Sequence, residues 1–176
     1  MHTSLLGESS FPPGGGRQTG VSISLVVCVL AAALGVRVYY AIGLPLTGDE
    51  TDHLRIAQEI SLRDGLFSLP VHSPDTGQAL GVTYVTALAN WVGGGNVLVI
   101  RFVFIALSLV GLVGVYVLGA TVFHSRVALV GLILAALDRH LVAIAPVFLE
   151  SAALVSLAPW AILLIYRCTT RGWARD

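Results

Sequence analysis

The feature that most constrains this chain is a set of long apolar runs interrupted by few charges. The first extends from Val21 to Ile42 and the longest from Val97 to Phe123, and about 20 apolar residues suffice for a helix to cross a bilayer. Only 11% of the residues are charged, whereas soluble domains carry about 25%, so there is too little charge for a polar surface. The sequence therefore predicts an all-α, polytopic membrane helical bundle.

Two later apolar runs complete the predicted spans, and one short run differs from them. The segment from Val127 is broken by Asp138, and the last run contains Pro159. The run at 80–92 is bounded by glycines and is too short for an ordinary span, so we expect it to be interfacial or re-entrant. The four predicted spans are 21–42, 97–123, 127–147 and 151–166, and two interfacial helices are expected in the outer loop 43–96.

Charge predicts which way these spans point. Cytoplasmic loops near membrane spans carry excess arginine and lysine. With four spans, both tails and the turn at Arg126 share one side, which then holds most of the arginines; a crossing at 80–92 would move Arg126 outside. We therefore expect a multi-pass protein of a bacterial inner membrane with both termini cytoplasmic. Residues 1–20 are expected to form a disordered tail and 168–176 a cytoplasmic tail, flanking a transmembrane domain at 21–167. A net charge of zero gives no electrostatic case for nucleic acid.

The outer loop opens with an acidic segment that has two interpretations. Thr47 and Glu50 match a capping box, and the following run to Arg63 has apolar residues at helical spacing, which predicts a surface helix. Capping explains Glu50 well and Asp49 less well. Asp49 is therefore either a solvated residue at the helix start or a catalytic or ligand-binding carboxylate. His53, on the same helix, is either a solvated interfacial residue or a ligand.

Two arginines and one glutamate lie near the predicted outer ends of the spans. Arg37 and Arg101 carry charge that is costly in an apolar span unless the side chain reaches the headgroups, binds a lipid phosphate or pairs with a loop carboxylate. Glu150 starts the last span, where an acid suits the helix dipole. The predicted topology also places Glu150 on the membrane face that carries Asp49. Two carboxylates on one face would build a polar cleft at the interface.

The order of these features resembles the N-terminal part of a GT-C type glycosyltransferase. That membrane superfamily includes protein O-mannosyltransferases and the lipid A aminoarabinose transferase. The resemblance covers about residues 25–167 and is carried by order and spacing, since Asp-Glu alone is only a dipeptide. Its elements are a first span with Arg37, the Gly48-Asp49-Glu50 opening of a surface helix, a second loop helix, Arg101 leading a span, a basic turn at Arg126, and LILAALDRHLVAIAPVFLESAALV.

The resemblance implies a sugar transfer from a polyprenyl-phosphate donor on the non-cytoplasmic side. Asp49 would be the base, Glu50 its neighbour in the motif and Glu150 a second acid, and these three are the candidate catalytic residues. Developing charge on the leaving phosphate would be stabilised by an arginine or by a divalent metal ion. The candidate substrate-binding residues are Arg37, His53, Asp75 and Arg101. No metal-ligand set and no further cofactor is assigned.

The chain also departs from the superfamily in ways that leave two functions open. Its members are usually several times longer, with later spans that complete the donor cavity. At 72–75, His-Ser-Pro-Asp replaces a more typical segment, which leaves Asp75 as the nearest candidate for a second loop acid. The chain is therefore expected to be a truncated or split glycosyltransferase module or, alternatively, a non-catalytic membrane subunit that assembles into a larger complex. A transporter is disfavoured, because the polar residues cluster at the outer rim and do not line a path through the bilayer.

Overall fold

The computed structural model describes residues 21–63 and 80–172, and all regular structure within those ranges is helical. The predicted tail at 1–20 and the candidate Asp75 lie outside the described residues. The all-α prediction is confirmed. The helices are α1 (Ile23–Gly43), α2 (Gly48–Arg63), α3 (Leu80–Gly93), α4 (Val97–Val122), α5 (Ser125–Leu137), α6 (Arg139–Ile144) and α7 (Glu150–Gly172).

Three of the described helices are long and apolar enough to cross a membrane. They are α1, α4 and the Glu150–Thr170 part of α7. Large apolar side chains such as Val27, Val110 and Leu164 point outward from these helices. A bundle that exposes so much apolar surface is suited to lipid as its solvent rather than to water. The chain is therefore a helical integral membrane protein.

The predicted third span, 127–147, is divided into two helices at Asp138. The first part, α5, has only 13 residues and the second, α6, has six, so neither alone reaches the roughly 20 residues of a usual span. The Asp138 carboxylate starts α6 by accepting hydrogen bonds from the backbone N–H groups of His140 and Leu141, both at 2.9 Å. The polar break foreseen in the sequence is thus a helix cap, and the four-span topology stays a prediction.

Arg37 stabilises the other side of this break. Its Nη1 donates hydrogen bonds to the carbonyl oxygens of Ala33, at 3.2 Å, and of Ala136, at 3.3 Å. Ala136 belongs to the last turn of α5, where carbonyl groups lack helical partners and the helix dipole is negative. A buried arginine of α1 therefore caps the C-terminal end of α5.

The central helix of the bundle is α4, which packs against α1, α3, α5 and α7. Its glycines set the approach of α7, because a Cβ at Gly111 would lie 2.8 Å from the Cα of Ser156 and a Cβ at Gly114 only 2.7 Å from Nε1 of Trp160. That Nε1 also donates to the carbonyl oxygen of Val110 at 3.0 Å. Small residues of this kind are how membrane helices bring their backbones close together.

An apolar core joins α3, α4 and α7 near the ends where α4 and α7 begin. The rings of Phe104 and Phe148 have centroids 6.1 Å apart and an interplanar angle of 47°, a tilted arrangement that is favourable for aromatic pairs. The other buried members of this cluster are Val82, Ala89, Ile100 and Ala152. This core fixes the start of α7 against α3 and α4.

The C-terminal end of α1 and the N-terminal ends of α4 and α7 all lie at one end of the bundle, here called the site end. Arg101 near the start of α4 contacts the carbonyl oxygens that follow α1, and Glu150 at the start of α7 contacts His53 of α2. The turn that joins α4 to α5 lies at the opposite end of α4. The start of α2, which was predicted to lie in the outer loop, and Glu150, which was predicted to be an outer acid, thus share an end.

Candidate functional site

The start of α2 is held by the capping box that the sequence predicts. The backbone N–H of Glu50 donates to Oγ1 of Thr47 at 3.3 Å, and the backbone N–H of Thr47 donates to Oε2 of Glu50 at 2.9 Å. The two residues therefore satisfy donors that the first turn of a helix leaves free. This reciprocal pair confirms the capping box and fixes the backbone on either side of Asp49.

Arg101 ties the end of α1 to the start of α2. Its Nη1 donates to the carbonyl oxygens of Ala41 at 2.8 Å and Leu44 at 2.6 Å, and its Nη2 donates to that of Pro45 at 3.2 Å. The same Nη2 lies 3.8 Å from Oε1 of Glu50. A cation that binds the last carbonyl groups of a helix also suits the negative end of its dipole. The Arg101 guanidinium thus contacts the C-terminal end of α1, the segment that connects α1 to α2, and the first turn of α2.

The Glu50–Arg101 pair is buried, and its burial limits the pair to a structural role. Glu50 is 0% exposed and Arg101 4%, so neither is open to a substrate in this conformation. At 3.8 Å their contact is an ion pair rather than a hydrogen bond. Removing one member of a buried pair leaves an uncompensated charge, which typically costs about 3–5 kcal/mol. The pair therefore fixes the geometry of the α2 start.

His53 connects three helices at the site end. It is 1% exposed, its Nδ1 lies 3.1 Å from Oγ1 of Thr83 on α3, and its Nε2 lies 3.3 Å from Oε1 of Glu150 on α7. Because each ring nitrogen lies within hydrogen-bonding distance of an oxygen on another helix, the imidazole bridges Thr83 of α3 and Glu150 of α7. The imidazole therefore fixes the orientation of Glu150.

Glu150 is the more accessible member of that pair. Its side chain is 34% exposed, and it occupies the first turn of α7, where a negative charge suits the helix dipole. The contact with His53 is made by one of its two carboxylate oxygens, Oε1. Glu150 combines a fixed orientation with access to a ligand.

Asp49 lies on the exposed side of the first turn of α2. It precedes His53 by four residues, and residues at that spacing are neighbours on one helix face with Cβ atoms about 5–6 Å apart. Since His53 contacts Glu150, Asp49 is placed about one helical turn from that contact. Asp49 and the His53–Glu150 pair therefore belong to one region of the site end.

Arg37 lies apart from this region. Its hydrogen bonds go to carbonyl oxygens of α1 and α5, and it borders a small cavity of about 40 Å³ together with Ser108 and Ser156. Its Nε is buried and makes no hydrogen bond within the described part of the chain. Arg37 therefore belongs to the helix break at Asp138 rather than to the region of Asp49.

Thr83 is a residue of the site that the sequence analysis did not single out. It lies in the short run at 80–92, which otherwise reads as apolar. Thr83, Thr86 and Asn90 are all buried and recur at spacings of three and four residues, which puts them on one face of α3. The helical spacing of these polar residues in an otherwise apolar run was the sequence signal that α3 contributes a buried polar side chain to a contact with a neighbouring helix.

The described residues do not form a metal site. No three side chains of the types His, Cys, Asp and Glu come close enough together in 21–63 and 80–172 to hold an ion. His53 and Glu150 alone do not make the usual ligand set of a bound metal.

Comparison with known proteins identifies the family. A family model described as dolichyl-phosphate-mannose-protein mannosyltransferase matches residues 77–176, which is more than half of the chain. The match includes Arg101 and Glu150 and begins after α2, so Asp49 precedes it. Searches of curated proteins and of solved structures find no match. By the extent of the family match, the chain belongs to the dolichyl-phosphate-mannose-protein mannosyltransferase family.

Proposed function

We propose that this chain is a membrane glycosyltransferase module that transfers a sugar from a polyprenyl-phosphate donor to an acceptor hydroxyl on the non-cytoplasmic side. The observation that carries the proposal is the placement of exposed Asp49 one helical turn from the His53–Glu150 pair. The family description supports the donor class, because it names mannose carried on dolichyl phosphate.

In the proposed reaction Asp49 is the general base. Its carboxylate takes the proton of the acceptor hydroxyl, and the oxygen forms a bond to the anomeric carbon of the sugar. The bond between that carbon and the phosphate oxygen breaks, and its electron pair leaves with the lipid phosphate. Direct displacement of this kind inverts the configuration of the anomeric carbon.

The burial of the neighbouring residues supports this choice of base. Asp49 is exposed and can reach a substrate, whereas Glu50 is fully buried in its contacts with Thr47 and Arg101. We therefore assign Glu50 and Arg101 as positioning residues that act through the α2 start. Their burial argues against direct contact between Arg101 and the donor.

We assign to Glu150 the role of binding and orienting the acceptor. Its partly exposed carboxylate accepts a hydrogen bond from a second hydroxyl of the acceptor, next to the reacting one, and so orients the acceptor for attack, while His53 keeps the carboxylate in place. Orientation of this kind lowers the barrier because the bound groups no longer have to find the reactive geometry. His53 is then a positioning residue rather than a ligand of the substrate.

Exchange of Asp49 for asparagine tests the base assignment, with a matched control on the same helix. Asp49→Asn removes the base and keeps the shape, and we expect transfer to fall about 10²–10⁴-fold. Glu59→Gln changes another exposed acid of α2 that lies ten residues, about 15 Å, further along the helix, and we expect little change. Both variants are compared in native membranes by transfer of radiolabelled sugar, after membrane insertion has been verified. Undiminished transfer in Asp49→Asn would exclude Asp49 as the base.

A non-catalytic subunit is the second candidate function. It is favoured by α1, in which only 17% of the apolar window is buried, so this span can pack against helices of another protein. Purification of the full chain in mild detergent tests this candidate. A stoichiometric membrane partner together with normal transfer in Asp49→Asn would support the subunit over the enzyme.

A further inference from the structure

A groove between α3, α4 and α7 starts at the candidate site and descends along the apolar faces of these helices. Its volume is about 370 Å³, within the range of small-molecule sites in proteins. Along α7 it extends from Glu150 to Leu157, a rise of about 10 Å at 1.5 Å per residue. The described residues that line it are Gly81, Val82, Val85, Phe104, Leu107, Glu150, Ala153, Leu154 and Leu157.

The lining combines an apolar channel with one charge. Val82 and Phe104 form a buried floor, while Leu154 and Leu157 stand on its outward side and are mostly exposed. Because these exposed residues belong to a membrane-spanning helix, the groove opens toward the lipid. Glu150 is the one ionisable residue among those described as lining it. The groove therefore fits a molecule with a hydrocarbon chain and a polar head.

The charge at the end of the groove selects the kind of head. A phosphate beside Glu150 would place two negative charges together at a lipid boundary, where screening by water is weak. A hydroxyl, by contrast, can donate a hydrogen bond to the carboxylate. Arg37 and Arg101, whose charge would attract a phosphate, are not among the described residues that line the groove.

We propose that this groove binds the hydrocarbon chain of a lipid acceptor and places its uncharged hydroxyl head at Glu150. The acceptor role rests on the proposed transferase function, and it makes the substrate class a membrane lipid rather than a soluble molecule. Glu150 binds one hydroxyl of this head; the neighbouring hydroxyl gives its proton to Asp49, its oxygen bonds to the anomeric carbon, and the donor's phosphate leaves with the electron pair of the broken bond. The anionic donor occupies a different surface.

Photolabelling of the full chain in liposomes tests the groove. One probe is a monoacylglycerol with a diazirine in its chain, and the other is the matching lysophosphatidic acid, which has the same chain and a phosphate head. We expect the hydroxyl probe to label groove residues about tenfold more than the phosphate probe, which corresponds to about 1.4 kcal/mol. Equal labelling of the groove and of exposed α1 would show ordinary surrounding lipid and overturn the proposal.

A pair of glycine substitutions tests whether the groove itself binds the chain. An added Cβ at Gly81 or at Gly35 meets no atom within 4 Å, so both positions accept a larger side chain, but only Gly81 lines the groove. We expect Gly81→Leu to reduce labelling by the hydroxyl probe about tenfold and Gly35→Leu to leave it unchanged. Equal effects of the two substitutions would overturn the assignment.

A charge exchange tests the selection of the head. Glu150→Gln keeps an acceptor oxygen and removes the charge, so labelling by the phosphate probe should rise to that of the hydroxyl probe. Glu59→Gln removes an exposed charge of α2 and should keep the original preference. A preference that persists in Glu150→Gln would overturn the role of Glu150. Because labelling needs no sugar transfer, its failure is distinct from failure of the base assignment, which rests on Asp49→Asn.

Discussion

His53 and Glu150 are separated by 3.3 Å between Nε2 and Oε1, although the helices that carry them, α2 and α7, are far apart in the sequence. The contact joins α2, which begins with the acidic Asp49 segment, to α7, which lies within the matched family region. Because the imidazole is also held by Thr83, the position of Glu150 depends on three helices together.

The first prediction concerns the imidazole in that contact. His53→Ala removes the imidazole that contacts the Glu150 carboxylate, and we expect kcat to fall about tenfold while donor KM changes little, because orientation of the acceptor rather than donor binding is lost. Transfer kinetics in native membranes measure both constants. A rise in donor KM without loss of kcat would instead favour a binding role for His53.

Thr83→Val provides the control for this contact. Valine has nearly the shape of threonine and lacks the hydroxyl. In this variant His53 loses its contact with the Thr83 hydroxyl, while Glu150 keeps its contact with His53. We expect a smaller loss of transfer than in His53→Ala and a loss of stability of about 1 kcal/mol, the usual net contribution of a hydrogen bond. If Thr83→Val reduced transfer more than His53→Ala does, the proposal that Thr83 acts on Glu150 only through His53 would be wrong.

The second prediction concerns the buried pair of Glu50 and Arg101. Glu50→Gln keeps the capping-box acceptor and removes the charge that compensates Arg101. We expect it to lower the free energy of unfolding by about 3–5 kcal/mol, and the double variant with Arg101→Met to be less destabilised than the sum of the two single variants. Thermal unfolding in detergent measures the three variants. Additive losses would mean that the two charges do not interact.

The third prediction concerns the close approach of α4 and α7. A Cβ at Gly111 would lie 2.8 Å from the Cα of Ser156, whereas a Cβ at Gly35 meets nothing within 4 Å. We expect Gly111→Ala to destabilise the bundle by about 1–3 kcal/mol through overpacking. In Gly35→Ala, by contrast, the better helix propensity of alanine should be neutral or stabilising. Melting temperatures in detergent compare the two, and equal shifts would contradict the packing argument.

Local patterns in the sequence predicted what local interactions determine. The capping box of Thr47 and Glu50 spans three residues, and the structure confirms it with reciprocal hydrogen bonds. The long apolar runs likewise form helices. Their composition suits lipid as the solvent, and in lipid the backbone has to make its hydrogen bonds within the segment, as a helix does. These features depend on neighbours in the chain.

Partners that are distant in the chain could not be predicted in the same way. Arg37 was expected near the outer end of its span with a lipid phosphate or a loop carboxylate among its possible partners, but its described partners include the carbonyl oxygen of Ala136, 99 positions away. Arg101 reaches carbonyl groups 56 to 60 positions away. Such contacts depend on how the helices pack, and every backbone carbonyl group looks alike in a sequence.

The fourth prediction concerns the helix break at Asp138. Asp138→Asn keeps an oxygen that can accept from His140 and Leu141, so we expect it to be nearly neutral. Asp138→Ala removes the cap and should cost about 1 kcal/mol. Thermal unfolding in detergent separates them. A large loss in Asp138→Asn would show that the charge, rather than the cap, matters at this position.

The fifth prediction concerns topology, because the four-span arrangement places α2 and the turn after α4 on opposite sides of the membrane. Glu59 and His124 are both exposed and lie on α2 and in that turn, respectively. With Cys28 and Cys168 replaced by alanine, a membrane-impermeant thiol reagent applied to intact cells should label Glu59→Cys and should label His124→Cys only after permeabilisation. The opposite pattern would invert the predicted orientation, and labelling of both from outside would contradict a membrane crossing by α4. Since Asp49 and Glu150 lie at the same end as Glu59, the result also decides on which side a sugar acceptor must be supplied.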